Sequence, residues 1–174
     1  MDVVAFGELL IDFTENGVSG QGNPLFEANP GGAPCNVLAM LSRLGHRTAF
    51  IGKVGNDFFG KQLEDAITEV GIDAAGLLKD DKVHTTLALV HTYPDGDRDF
   101  SFYRNPGADM MLTEEELPEE IIRGAKIFHF GTLSMTHLLS HLCIRYTGAK
   151  TAYLNIKIIY FLFNFQGSTC FTIL

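Results

Sequence analysis

Between Val3 and Gly71 the chain alternates short apolar runs with stretches of helical period, and this alternation limits the fold more than any other feature. Val3-Val4-Ala5-Phe6 is an apolar run stopped by Gly7, the pattern of a buried strand. Leu9-Leu10-Ile11 either continues the sheet edge or opens the next strand. From Pro34 to Leu44 a helix is expected. Val37, Leu38, Leu41 and Leu44 share its apolar face, and Gly45 stands where a helix-ending glycine belongs. Thr48 to Val54 is β-branched and apolar, hence a strand. Asn56 or Asp57 caps a second helix, in which Phe59, Leu63, Ala66, Ile67 and Val70 form the buried stripe and which Gly71 ends. Strand, helix, strand, helix in succession calls for a parallel sheet with crossover helices, so the fold class is α/β.

The texture then changes. Gly17 to Pro30 is rich in Gly, Asn and Pro and reads as loop with at most one short strand. Thr85 to Thr92 and Arg98 to Arg104 are strand-like, and Pro94-Asp95-Gly96-Asp97 between them has turn chemistry, so an antiparallel hairpin is expected. Thr113 followed by Glu114, Glu115 and Glu116 reads as a helix start with acids at the positive end of its dipole. Ala125 to Phe130 is a further apolar strand, ending at Gly131.

Composition narrows the class. Apolar residues make up 46% and charged residues 20%, as in an ordinary globular chain. The longest apolar run, Ile158 to Phe163, is far too short to cross a membrane, and no secretory signal pattern is present, so a cytoplasmic protein is expected. A net charge of -8 argues against a nucleic-acid surface. Cys35, Cys143 and Cys170 match no metal pattern and read as reduced thiols. The charge is unevenly placed. All 21 acids precede Leu138, and from there on only Arg145, Lys150 and Lys157 carry charge. The tail over 138–174 reads either as a segment translated out of frame or from non-coding DNA, or as a strand-rich part of the fold.

Chemistry concentrates near the N-terminus. Gly31-Gly32-Ala33-Pro34-Cys35-Asn36 opens a helix after a loop. Glycines there admit a ligand close to the backbone, and Asn36 offers both a donor and an acceptor, as a hydroxylated ligand needs. Asp12, after an apolar strand, can accept hydrogen bonds from two adjacent hydroxyls. Glu8, on the same segment, is a less specific candidate.

The combination is more specific than its parts. Gly7-Glu8-Leu9-Leu10-Ile11-Asp12-Phe13, Gly31-Gly32-Ala33-Pro34-x-Asn36-Val37, Arg43-Leu44-Gly45 and Ile51-Gly52-Lys53-Val54-Gly55-x-Asp57-x-x-Gly60 together resemble the ribokinase-like (PfkB) sugar kinases. Phe100 to Met110 and Ala125 to Ser134 resemble the fructokinase branch. Leu38 departs from the family, which carries a small residue there. The resemblance covers residues 1 to about 137. It implies a Rossmann-like parallel sheet with flanking helices and a small β-lid, built from about 14–30 and 85–104. It implies ATP-dependent phosphorylation of fructose to fructose 6-phosphate, with magnesium, and a small-molecule sugar as partner. A 2-keto-3-deoxygluconate kinase is the alternative within the family. By resemblance Asp12, Gly31, Gly32 and Asn36 hold sugar hydroxyls, Tyr103 and Arg104 approach the sugar from the lid, and the lid can join two copies into a homodimer.

The family's base is an Asp in Gly-Ala-Gly-Asp, and its Asn-x-x-Glu motif lies near the metal and phosphates. Neither run occurs in these 174 residues. The nearest match, Pro106-Gly107-Ala108-Asp109, lacks one glycine and falls in the lid region, so Asp109 is rejected as the base. The expectation is therefore a truncated, inactive form with no catalytic residue, no metal ligand and no assigned nucleotide contact. The rival expectation is a non-catalytic sugar-binding or dimerising fragment. His137 and His141 read as unrelated surface residues, and His129 as part of the core.

Overall fold

The computed structural model describes residues 1–93, 95–136, 143 and 157–161. Pro94, His137, His141 and Cys170 lie outside the described residues.

β1 (Val3–Phe6), β4 (Thr48–Gly55), β5 (Ile72–Asp80), β8 (Ile127–Gly131) and β9 (Lys157–Phe161) form one sheet in the order β5-β4-β1-β8-β9. Every pairing in it is parallel. Side chains alternate across a strand, so β1 feeds two cores. Val3 and Ala5 join Leu38, Phe50, Leu63 and Ile67 beneath α1 (Ala33–Arg43) and α2 (Phe58–Glu69). Val4 and Phe6 join Ile51, Leu112, Ile122 and Phe128 on the opposite face, beside α3 (Glu119–Arg123). Phe50, Leu38 and Leu63 are fully buried. Each such side chain contributes roughly 1.5–3 kcal/mol. Two faces covered by helices make this the doubly flanked parallel sheet expected of the sequence.

The second sheet has the order β3-β2-β6-β7, built from β2 (Leu10–Val18), β3 (Pro24–Gly31), β6 (Leu87–Thr92) and β7 (Arg98–Tyr103). Its two hairpins are antiparallel, and β2 joins β6 in parallel. This is the lid sheet. Phe13 of β2 meets Phe59 of α2 edge to face with ring centroids 5.6 Å apart, which seats one lid face on the main body.

Four local expectations need correction. The stretch Gly17 to Pro30 is not mainly loop, because β2 runs to Val18 and β3 pairs with it nearly throughout. β5 is an additional strand that the apolar pattern does not announce. Leu44 is not on the apolar face of α1 but is its C-terminal cap residue, 67% exposed. The helix expected from Thr113 is a single 3-10 turn, Glu114–Glu116. Thr113 and Glu116 form the capping box, and Pro118 separates the turn from α3.

Two side chains tie the pieces together. Asp57 caps α2 by accepting from the Gly60 amide at 2.8 Å, and it also accepts from the Thr85 amide and hydroxyl at 2.9 and 2.7 Å. Burial acts to raise its pKa, but these hydrogen bonds outweigh it and hold the carboxyl below its usual range. Lys53, buried near the end of β4, donates to both Glu116 oxygens at 2.6 and 2.7 Å and to the Met111 carbonyl at 3.2 Å, which fastens this connection to the sheet.

Candidate functional site

The site is built where β3 runs into α1. Gly31 ends β3 directly against Asp12 of β2, so close that a Cβ at Gly31 would overlap Asp12 Oδ2. Gly32 caps α1 with φ 121°, a conformation side chains other than hydrogen rarely adopt, and a Cβ there would overlap the Glu8 carbonyl. The Gly32 carbonyl accepts the Asn36 amide at 3.0 Å, which closes the first turn of α1. The side chain of Asn36 is exposed.

Asp12 is half-buried, and among the described residues no hydrogen bond or ion pair reaches its carboxylate. Burial pushes its pKa up to about 6, while the charge of Arg98 pulls it down. A carboxylate kept partly from water without a partner among the described residues carries a desolvation cost, which hydroxyl donors of a ligand would offset.

Register shows what shares its face. Laterally adjacent residues of a sheet point the same way. Asn29, Asp12, Ala88 and Phe102 form one row across the lid, and Glu27, Thr14, Val90 and Phe100 form the next. Phe100 and Phe102 stack with centroids 6.1 Å apart. Tyr103 belongs to the other set, in line with Leu87, Ile11 and Pro30, and is 64% exposed.

Of the six anticipated residues, Gly31, Gly32 and Asn36 lie where β3 runs into α1, and Asp12 of β2 abuts Gly31. The structure sets Tyr103 on the opposite lid face. Arg104 is turned inward: its Nε and Nη2 donate to Asp109 Oδ2 at 2.8 and 2.6 Å, while the Thr86 hydroxyl donates to Oδ1 at 2.5 Å. Asp109 is 5% exposed and fully occupied by these partners, an arrangement unsuited to taking a proton from a ligand. Two residues were missed or underrated. Arg98 on β7 reaches Asp12 with its charge, and Glu8 is buried and accepts from the first amide of α1 at 3.3 Å. An acid set between the apolar runs Val3–Phe6 and Leu9–Ile11 was the available signal for the second. His129 is buried on β8.

No group of three or more His, Cys, Asp or Glu side chains among the described residues could hold a metal ion. No helix among the described residues is long and apolar enough to cross a membrane.

Comparison with known proteins identifies the family. A family model described as pfkB family carbohydrate kinase matches residues 1–152. Fructokinase-2 of Oryza sativa subsp. japonica is 50% identical over 135 residues, which are 76% of this chain and 40% of that protein. The crystal structure of fructokinase from Xylella fastidiosa superposes with a TM-score of 0.84 at 31% identity, covering 91% of this chain and 49% of the other. An uncharacterized sugar kinase from Pyrococcus horikoshii in complex with ATP superposes with a TM-score of 0.83 at 31% identity, covering 91% and 52%. The chain spans about two fifths of the length of the curated relatives it matches. With a matching family model over most of its residues and the ribokinase-like fold, the chain belongs to the pfkB family of carbohydrate kinases.

Proposed function

We propose that this chain supplies the sugar-binding part of a cytoplasmic fructokinase-type enzyme, which transfers the γ-phosphoryl group of ATP to fructose and forms fructose 6-phosphate. The observation that carries the reading is Asp12: a partly buried carboxylate against Gly31, without a hydrogen-bond or ion-pair partner among the described residues, with the exposed Asn36 side chain a few residues further on in α1. A sugar presents adjacent hydroxyls that each donate and accept. Asp12 accepts from two of them, Asn36 gives and accepts, and the two glycines admit the ring to the backbone. ATP supplies the phosphoryl group when bound, and magnesium belongs to the same reading of the whole enzyme.

Transfer also requires a group to take the hydroxyl proton. Asp109 is held by Arg104 and Thr86, and the family's Gly-Ala-Gly-Asp run does not occur among the 174 residues. We therefore expect the chain to bind fructose without turning it over. The lid leaves Val18, Leu25, Phe26 and Tyr93 exposed, which supports self-association through that sheet.

Calorimetric titration with D-fructose is the test. One sugar is expected to bind per chain, with no ADP released when ATP is added. Gly31→Ala crowds the Asp12 carboxylate and is expected to weaken binding about tenfold, the value of one misplaced charge-assisted hydrogen bond. Absence of fructose binding sinks the reading. Tighter binding of 2-keto-3-deoxygluconate shifts the substrate to a sugar acid, whose carboxylate Arg98 could meet.

A further inference from the structure

Glu8 is a buried acid that the proposed sugar contacts leave unused. It is 3% exposed, and among the described residues no salt bridge reaches it. Oε1 accepts the Ala33 amide at 3.3 Å, and Oε2 accepts the Ser134 hydroxyl at 3.5 Å. Oε2 also lies against Gly131, where a Cβ would stand 2.9 Å away. One side chain thereby touches both the turn that opens α1 and the segment after β8. Burial pushes its carboxyl up to about 7; backbone hydrogen bonds and the Arg104 charge oppose the rise, and the Asp109 charge adds to it. A buried acid without an ion pair is costly to keep, and it must be retained for its charge or for its reach.

We propose that Glu8 is a positioning residue for the sugar site, bracing the Gly31–Gly32–Ala33 turn from behind by spanning from the Ala33 amide to Ser134. The assignment rests on the sugar-binding role proposed for Asp12 and Asn36. The chain of contacts is short. Glu8 holds the Ala33 amide, and its own carbonyl packs on Gly32. The Gly32 carbonyl holds the Asn36 amide at 3.0 Å, and Gly31 abuts the Asp12 carboxylate. A turn released at Ala33 carries Gly31, Gly32 and Asn36 with it.

Reach and charge separate by substitution. Glu8→Gln keeps the length, retains an acceptor for the Ala33 amide and turns a donor toward the Ser134 oxygen. Glu8→Asp keeps the charge but is one methylene short. The experiment titrates D-fructose calorimetrically into the unmodified chain and into E8Q, E8D and E8A, with thermal melts alongside. E8Q is expected to bind within about threefold of the unmodified chain, and E8D and E8A at least about tenfold more weakly, all with cooperative melts. Unchanged binding in E8A, binding by E8D as tight as the unmodified chain, or loss of affinity only together with loss of the cooperative melt overturns the assignment and leaves the sugar site standing. No fructose binding by the unmodified chain overturns both.

Discussion

Replacing Asp109 with alanine is expected to cost the fold about 3–5 kcal/mol, because it leaves the buried guanidinium of Arg104 without its counter-charge. The side chains of the pair are 9% and 1% exposed, so water cannot substitute for the lost carboxylate. Thr86 loses its acceptor at the same time. Against a total stability of about 5–15 kcal/mol, this is a large share, and it should lower the melting temperature by roughly 10 °C. The damage has a direction. Thr86 directly precedes β6, and Arg104 directly follows β7, so one carboxylate anchors both lid strands. Hydrogen exchange at the β6 and β7 amides should therefore accelerate more than exchange in β1 and β4. The double replacement Arg104→Met with Asp109→Leu should recover most of the loss, since an apolar pair carries no desolvation penalty. An Asp109→Ala chain whose urea midpoint shifts by less than the equivalent of about 1 kcal/mol refutes the anchor.

This pair also shows where sequence reasoning reaches its limit. Arg104 and Asp109 are separated by Asn105, Pro106, Gly107 and Ala108, and no periodicity brings such residues together. Only the turn and the placement of β6 do so. By contrast, α1 and α2 were legible because their apolar residues repeat at the helical period, with Leu63 and Ile67 facing the core, and β4 because it is a short, largely apolar run, all of it buried. β2 and β3 failed that reading for a physical reason. From Glu15 to Glu27 the residues are almost all exposed, so the strands are held by pairing with each other rather than by an apolar face. β5 hides behind Ala74, Ala75 and Gly76, which carry little strand preference; its place is set by parallel pairing with β4. Within the tail, β9 extends the sheet beside β8.

The site was legible to the extent that it is local. Gly31, Gly32 and Asn36 sit within one turn, and Asp12 joins them through a neighbouring strand. Tyr103 and Arg104 were anticipated from resemblance alone. Register then places Tyr103 on the other lid face, and Asp109 draws Arg104 inward. Glu8 shows in the sequence only as an acid between two apolar runs; its contacts with Ala33 and Ser134 arise once α1 and the segment after β8 close over it.

Removing the Asp12 carboxylate has the largest functional effect to be expected. If Asp12 holds the sugar as proposed, Asp12→Ala deletes two charge-assisted hydrogen bonds of roughly 1.5 kcal/mol each, and fructose should bind about 100-fold more weakly. Asp12→Asn, which keeps one acceptor and adds a donor, should fall between, at about tenfold. The pH dependence distinguishes the two roles a carboxylate can play. With its pKa raised to about 6, Asp12 is ionised at pH 8 and, in the proposed role, would accept both hydroxyls; as pH falls through 6 it takes a proton and loses one acceptor. If only the ionised form binds well, affinity at pH 5 is about tenfold below that at pH 8. The sign for stability is opposite. A carboxyl whose folded pKa is raised favours the folded state at low pH, and that contribution is fully present below about 4 and lost as pH rises through about 6. Acid should therefore weaken sugar binding over a range in which this group's own contribution strengthens the fold, so that lost affinity cannot be put down to unfolding through Asp12. Asp12→Asn should remove this step from the binding profile. A step that persists undiminished in Asp12→Asn assigns the titration to another group, with Glu8 the first to examine because its carboxyl lies near 7.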